Sequence, residues 1–203
     1  MAVGVDLSRL LNFHRGHSGL VTIACHPNDH PETSDLIATR FDHRVTDILS
    51  KKAPRTTPLR NLVPAALFVL SPEVLGHVRV DAPQDFMRDV FPGLLAKSLP
   101  IMAYNTPEYL RDTGSPERHA MVARDIESGR FEATSHWAAR PAAFLDRDGV
   151  LVQSGVRPVT LMPGAAEAVR LLNEAGVLTV LTTNQPAVAK GHATLADIEQ
   201  EHA

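Results

Sequence analysis

Ala142-Ala143-Phe144-Leu145-Asp146-Arg147-Asp148-Gly149-Val150-Leu151 is an apolar run that stops on two carboxylates, one residue apart, followed by a glycine. The run reads as a buried strand that delivers Asp146 and Asp148 to the rim of a sheet. Two residues apart on an extended chain, the carboxylates can converge on one side of the strand end. A pair of oxygens there suits a hard cation such as Mg²⁺, which takes few protein carboxylates and completes its shell with water and phosphate oxygens. One carboxylate could then attack phosphorus and form an aspartyl-phosphate. The same string also fits an ordinary polar turn after a strand.

The residues downstream favour the first reading. Pro163-Gly164 opens a segment with apolar residues at Ala165, Ala168, Val169, Leu172 and Ala175, which is helical spacing, and Gly176 sits where a helix-ending glycine belongs. Val177-Leu178-Thr179-Val180-Leu181 reads as a second buried strand, followed by Thr182-Thr183-Asn184-Gln185. A right-handed strand–helix–strand crossover makes the two strands parallel, so their carboxyl ends share one edge. That brings Thr183 toward Asp146, where a hydroxyl and nearby backbone N–H groups could hold a phosphate oxygen.

Phe-Leu-Asp-Arg-Asp-Gly-Val, Pro-Gly-Ala and Thr-Asn-Gln-Pro-Ala-Val-Ala-Lys-Gly, in that order, resemble the haloacid dehalogenase-like (HAD) phosphatases, in their histidinol-phosphate and heptose-1,7-bisphosphate branch. The resemblance implies Asp146 as nucleophile, Asp148 as general acid/base, both as Mg²⁺ residues, and Thr183 as phosphate-binding residue. It also implies that Asn184, Gln185 and Lys190 lie near the substrate phosphate. Lys190 stands where the branch carries Arg, which keeps the charge and loses the bidentate fork. The family's later lysine and acidic residue have no match. Thr194-Leu195-Ala196-Asp197 opens a capped helix, and Glu199 and Glu201 read as its solvated charges.

Upstream, the chain reads as a second α/β unit. Asp6-Leu7-Ser8 starts a short helix, with Asp6 or Ser8 as cap, and Gly19 to Cys25 reads as a strand. His26-Pro27-Asn28-Asp29-His30-Pro31 reads as a loop. Strands are predicted over 34–39, 44–49, 62–70 and 99–104, with Pro64 at a strand start or on an edge. Helices are predicted to start at Ser71-Pro72-Glu73, at Asp85 and at Ser115-Pro116-Glu117, the last one stopped by Gly129.

His26-Pro27-Asn28-Asp29-His30-Pro31, Asn61-Leu62-Val63, Asp85-Phe86 and Tyr104-Asn105-Thr106-Pro107-Glu108-Tyr109-Leu110-Arg111-Asp112-Thr113-Gly114-Ser115-Pro116 resemble the carboxyl-terminal half of the sugar-phosphate nucleotidyltransferases. The resemblance implies Asp112 as a metal-binding residue and Lys51 as a sugar-phosphate lysine. The family's Gly-rich nucleotide loop and first metal aspartate have no match here.

The expected fold class is therefore α/β: a partial nucleotidyltransferase mixed sheet over 1–130, a linker over 131–141, and the first part of a Rossmann-like HAD parallel sheet over 142–203. The combined resemblance implies a route to nucleotide-activated heptose, with a phosphorylated sugar and a nucleoside triphosphate as partners. Missing motifs leave two other readings open: a nucleotidyltransferase with a vestigial tail, or a non-catalytic fragment or subunit. Open sheet edges predict homo-oligomerisation.

Composition bounds these readings. A formal charge of −3 over 203 residues gives no basic footprint for nucleic acid. No apolar run is long enough to span a membrane, and the amino terminus carries neither a charged n-region nor an apolar h-region. A lone cysteine, Cys25, reads as a small buried strand residue and fits a reducing cytoplasm. His14, His17, His26, His30 and His43 match no zinc spacing and read as loop and surface histidines.

Overall fold

The protein was analysed as a computed structural model that describes residues 1–28, 30–54, 60–154 and 159–202, with side chains followed to residue 198. Asp29 and the side chains of Glu199 and Glu201 lie outside the described residues.

The chain opens with β1 (Ala2–Val3) and α1 (Leu7–Gly16). Asp6 caps α1 by accepting from the Arg9 backbone N–H at 3.0 Å, one of the two caps expected. β2 (Val21–His26) follows, then the hairpin β3 (Leu36–Thr39) and β4 (Val45–Leu49), and β5 (Val63–Leu70). Then come α2 (Phe91–Ala96), β6 (Ile101–Asn105), β7 (Leu110–Arg111) and α3 (Pro116–Glu127).

β2 is the central strand of a mixed sheet of order β5-β2-β6, antiparallel to β5 and parallel to β6. Its alternation explains why it is buried on both faces. Val21, Ile23 and Cys25 pack with Phe91, Leu94, Val74 and Ile101, while Ala24 faces Leu10, Val5 and Tyr104. Helices thus cover both sides of the sheet, as a strand without polar alternation requires. Cys25 is the buried strand residue expected, and burial pushes its thiol pKa up. Pro64 sits on the edge strand β5 opposite Cys25, beside the bulge between the Ile23 and Cys25 pairs, as its missing N–H favours.

Two helix starts differ from expectation. Ser71-Pro72 opens only a 3₁₀ turn, Pro72–His77, because the Ser71 hydroxyl turns to His14 and Gly19 instead of capping. Asp85 does cap, but the first turn, Phe86–Val90, is a wide π turn. Pro92 has no N–H to return to the Arg88 carbonyl, and the wider turn relieves the clash of its ring with that carbonyl. The pairing of β1 with β7 was not foreseen, since two-residue strands carry no period.

Residues expected to form a linker begin with a helix, α4 (Arg130–Thr134). Thr134 accepts from the Tyr109 N–H at 2.9 Å, and the Phe131 ring meets Tyr109 edge-on at 5.0 Å. Ser135 is 2% exposed and packs against Gly4, whose carbonyl accepts from the His136 N–H at 2.7 Å. This stretch is part of the first unit's wall, with Trp137 on its outside.

β8 (Ala142–Asp146), α5 (Ala165–Glu174) and β9 (Leu178–Thr182) then form the expected strand–helix–strand unit. Gly176, at φ 76°, takes the left-handed turn that ends α5. β8 and β9 are parallel, and among the described residues they form a two-stranded sheet. Of the described hydrophobic side chains here, only Val152 and Ala165 are buried, and Phe144 is 69% exposed. The short α6 (Pro186–Ala189) and α7 (Leu195–His202) complete the chain, α7 opening on a Thr194–Asp197 capping box. The architecture is α/β throughout. No helix of the described residues is long and apolar enough to cross a membrane.

Candidate functional site

The parallel register puts Asp146 opposite Thr182, so the carboxylate-rich turn and the 182–185 segment leave the sheet at the same rim. The rim is fastened by backbone. The Arg147 N–H points to the Thr182 carbonyl at 3.1 Å and to Asp146 Oδ1 at 2.8 Å. The chain then reverses: the Leu151 and Val152 N–H groups both donate to the Arg147 carbonyl at 2.9 Å, and the Gly149 N–H donates to the Val152 carbonyl at 2.8 Å. Gly149 has φ 83°, which a side chain would strain.

Four side chains from two segments meet in this turn. Arg147 is buried, and its guanidinium grips Asp148 with both prongs, Nη2 to Oδ1 at 2.9 Å and Nε to Oδ2 at 3.2 Å. Gln185 Nε2 donates to Asp148 Oδ2 at 3.0 Å, across 37 residues of chain, and to Thr183 Oγ1 at 2.7 Å. Asp148 and Thr183 are thus joined through Gln185. Asp146 lies exposed on the same edge. Sequence reading assigned Arg147 no role. The signal was there in a cation placed between two aspartates.

The other expected site residues are more dispersed. Asn184 is exposed, and exposed Lys190 is the residue that ends α6. Lys51 is an exposed turn residue whose backbone N–H donates to Asp35 Oδ1 at 2.7 Å. Asp112 folds back on its own loop: Oδ1 accepts from the Gly114 N–H at 2.9 Å, and Oδ2 pairs with Arg118. The Gly114 bond and the Arg118 contacts hold its carboxyl pKa below the usual value.

Asp146 offers an oxygen at the rim, but both Asp148 oxygens are already engaged by Arg147 and Gln185. Asp112 is engaged with Arg118 and Gly114. Among the described residues no three His, Cys, Asp or Glu side chains converge to hold a metal. Mg²⁺ needs only one or two protein carboxylates, and Asp146 and Asp148 at this rim are the described residues that would hold it.

The histidines correct one expectation. His14 is a buried core residue, with Nδ1 2.9 Å from Thr22 Oγ1 and Nε2 3.3 Å from Ser71 Oγ. Its place on the covered face of α1 could have been read from its spacing to Leu10. His17 stacks on Phe13 at 3.9 Å, and His43 meets the same ring edge-on at 5.4 Å.

No family model matches the chain. Over 68 residues (31% of this chain) it is 46% identical to D-glycero-beta-D-manno-heptose-1,7-bisphosphate 7-phosphatase of Rhodopseudomonas palustris, covering 38% of that protein. Over 68 residues it is 41% identical to D-glycero-D-manno-heptose-1,7-bisphosphate 7-phosphatase of Thermosynechococcus vestitus, covering 31% of this chain and 35% of that one. Over 127 residues (62% of this chain) it is 30% identical to mannose-1-phosphate guanylyltransferase of Mycobacterium tuberculosis, covering 34% of that protein. The chain spans roughly a third of the length of the curated relatives it matches. It joins a stretch similar to sugar-phosphate nucleotidyltransferases to a stretch similar to heptose-bisphosphate phosphatases.

Proposed function

We propose that residues 142–203 carry the phosphate-handling rim of a sugar phosphate phosphatase of the D-glycero-D-manno-heptose 1,7-bisphosphate 7-phosphatase type. The observation that carries this reading is the union, at one parallel-sheet rim, of Asp148 and Thr183 through Gln185, with Asp146 in register with Thr182. Ligands of parallel α/β sheets bind at that edge.

In this reading an Asp146 carboxylate oxygen attacks phosphorus in line. The P–O bond to the sugar breaks, and the leaving alkoxide takes a proton from Asp148. A water then attacks the aspartyl-phosphate, giving its proton to Asp148, and phosphate leaves as Asp146 is regenerated. The Thr183 hydroxyl donates to a phosphate oxygen, and Lys190 adds a point charge nearby.

Phosphate release from the sugar bisphosphate, with and without Mg²⁺, tests the reading. Release that Asp146→Asn abolishes supports it. No release at high protein concentration, with Mg²⁺ present, refutes it.

A second reading is favoured by the extent of the match to the guanylyltransferase, 62% of the chain. The mixed sheet would then belong to a sugar-1-phosphate nucleotidyltransferase, with Lys51 and Asp112 facing sugar phosphate and nucleoside triphosphate. Exchange of labelled nucleotide into a sugar phosphate tests it, and unaltered exchange in Asp112→Asn counts against that role for Asp112.

A further inference from the structure

The amide of Gln185 fixes the direction of a proton at the rim. Arg147 holds Asp148 through both carboxylate oxygens, and a carboxylate so paired offers only lone pairs. Gln185 stands 3.0 Å from Asp148 Oδ2, so its –NH₂ end faces the carboxylate; the carbonyl end would set lone pair against lone pair. The same Nε2 stands 2.7 Å from Thr183 Oγ1. An amide nitrogen has two protons and no lone pair to give, so the Thr183 oxygen is the acceptor here. The hydroxyl's own proton therefore points away from Gln185.

We propose that Gln185 is a positioning residue: by spending both amide protons on Asp148 and Thr183, it turns the Thr183 hydroxyl proton outward as a donor. This inference rests on the phosphatase reading for the identity of what that donor meets, a phosphate oxygen. Gln185 itself then touches no substrate. Pro186, the next residue, keeps Gln185 out of helical backbone. The Gln185 φ is −111° and ψ 78°.

The test uses the full chain with Gln185→Glu and Gln185→Ala, titrated with inorganic phosphate and followed at the Thr183 backbone amide by NMR. Glutamate has glutamine's size but accepts the Thr183 proton instead of directing it outward, and it adds a negative charge beside Asp148. Alanine leaves the hydroxyl free to rotate. Phosphate binding is expected to weaken about tenfold or more in Gln185→Glu and only a few-fold in Gln185→Ala. A space-filling role gives the reverse order, with glutamate the milder change, and that order overturns the proposal.

A second readout needs no phosphate. The Gln185 side-chain amide resonances are expected to move in Thr183→Val, which removes the acceptor. Unmoved resonances overturn the proposal. If they move while phosphate leaves the wild-type spectrum unchanged, the phosphatase reading falls and the orientation imposed by Gln185 stands.

Discussion

Replacing one phenylalanine by alanine in each unit separates a packed core from an open sheet. Phe91 is 0% exposed, and its ring meets Phe68 at 5.1 Å, perpendicular, and Phe86 at 5.5 Å. Phe91→Ala removes a whole buried ring and leaves a cavity beneath Ile23 and Ile101, at a cost of about 3–5 kcal/mol. Loss of the two ring–ring contacts puts the value toward the upper end of that range. Phe144 is equally large but 69% exposed on β8, so Phe144→Ala removes little that folding had hidden, within about 0.5 kcal/mol. In urea, at a slope of about 2 kcal/mol per M, the Phe91→Ala midpoint falls by roughly 2 M, and that of Phe144→Ala by roughly 0.3 M or less. Trp137, which lies 5.8 Å from Phe131, reports on the first unit by fluorescence, and far-ultraviolet circular dichroism reports on both units. If Phe144→Ala costs as much as Phe91→Ala by either probe, the β8 face is covered in solution and the description of this unit as coreless is wrong.

Two further outcomes follow from the first unit. Burial, with the neighbouring Arg15 charge, holds the pKa of His14 below its ordinary value of 6.5. The native state therefore prefers neutral His14, so its contribution is whole above that value and is lost as pH falls below it toward the folded pKa. Unfolding in urea at about pH 7.5 and about pH 5.5 is expected to show an acid-side loss that His14→Gln reduces, and an unchanged slope refutes the assignment. His26 and His43 are shifted the same way, chiefly by burial, so the variant removes only part of the loss. Gly4→Ala would place a methyl 2.1 Å from Ser135 Oγ, and an overpacked contact of this kind costs about 1–3 kcal/mol. Adding Ser135→Gly is expected to recover most of it in thermal unfolding, and no recovery would show that 135–136 does not bear on Gly4.

What was legible in the sequence follows the reach of each interaction. Helix α5, its closing Gly176 and the parallel pair β8–β9 were readable because period, cap and crossover hand are local or nearest-neighbour properties. The strand β2 was readable from its largely apolar run, Val21 to Cys25. The π turn at Phe86–Val90 was missed because it follows from the cap at Asp85 and from Pro92 together, and Asp85 alone predicts an ordinary helix start. Ser71 was misread because its hydroxyl had a better partner 57 residues away in His14. The same limit applies at the rim. Motif spacing brought Asp148 and Thr183 to one edge, but only the geometry shows that Gln185 joins them and that Arg147 holds Asp148.

That difference in reach also explains why the phosphatase-like rim can be well formed in a unit with almost no buried core. The turn after β8 is closed by its own backbone bonds, by a positive-φ glycine and by one register contact to β9, none of which needs a third strand. A parallel sheet, however, draws its stability from burial on both faces, and two strands with Phe144 open to water supply little of it. Geometry at the rim and stability of the unit are thus set by different residues. Substitutions at Gln185 should alter what the rim binds while barely moving the urea midpoint. Anything that covers Phe144 should raise that midpoint while leaving the Gln185 bridge as it is.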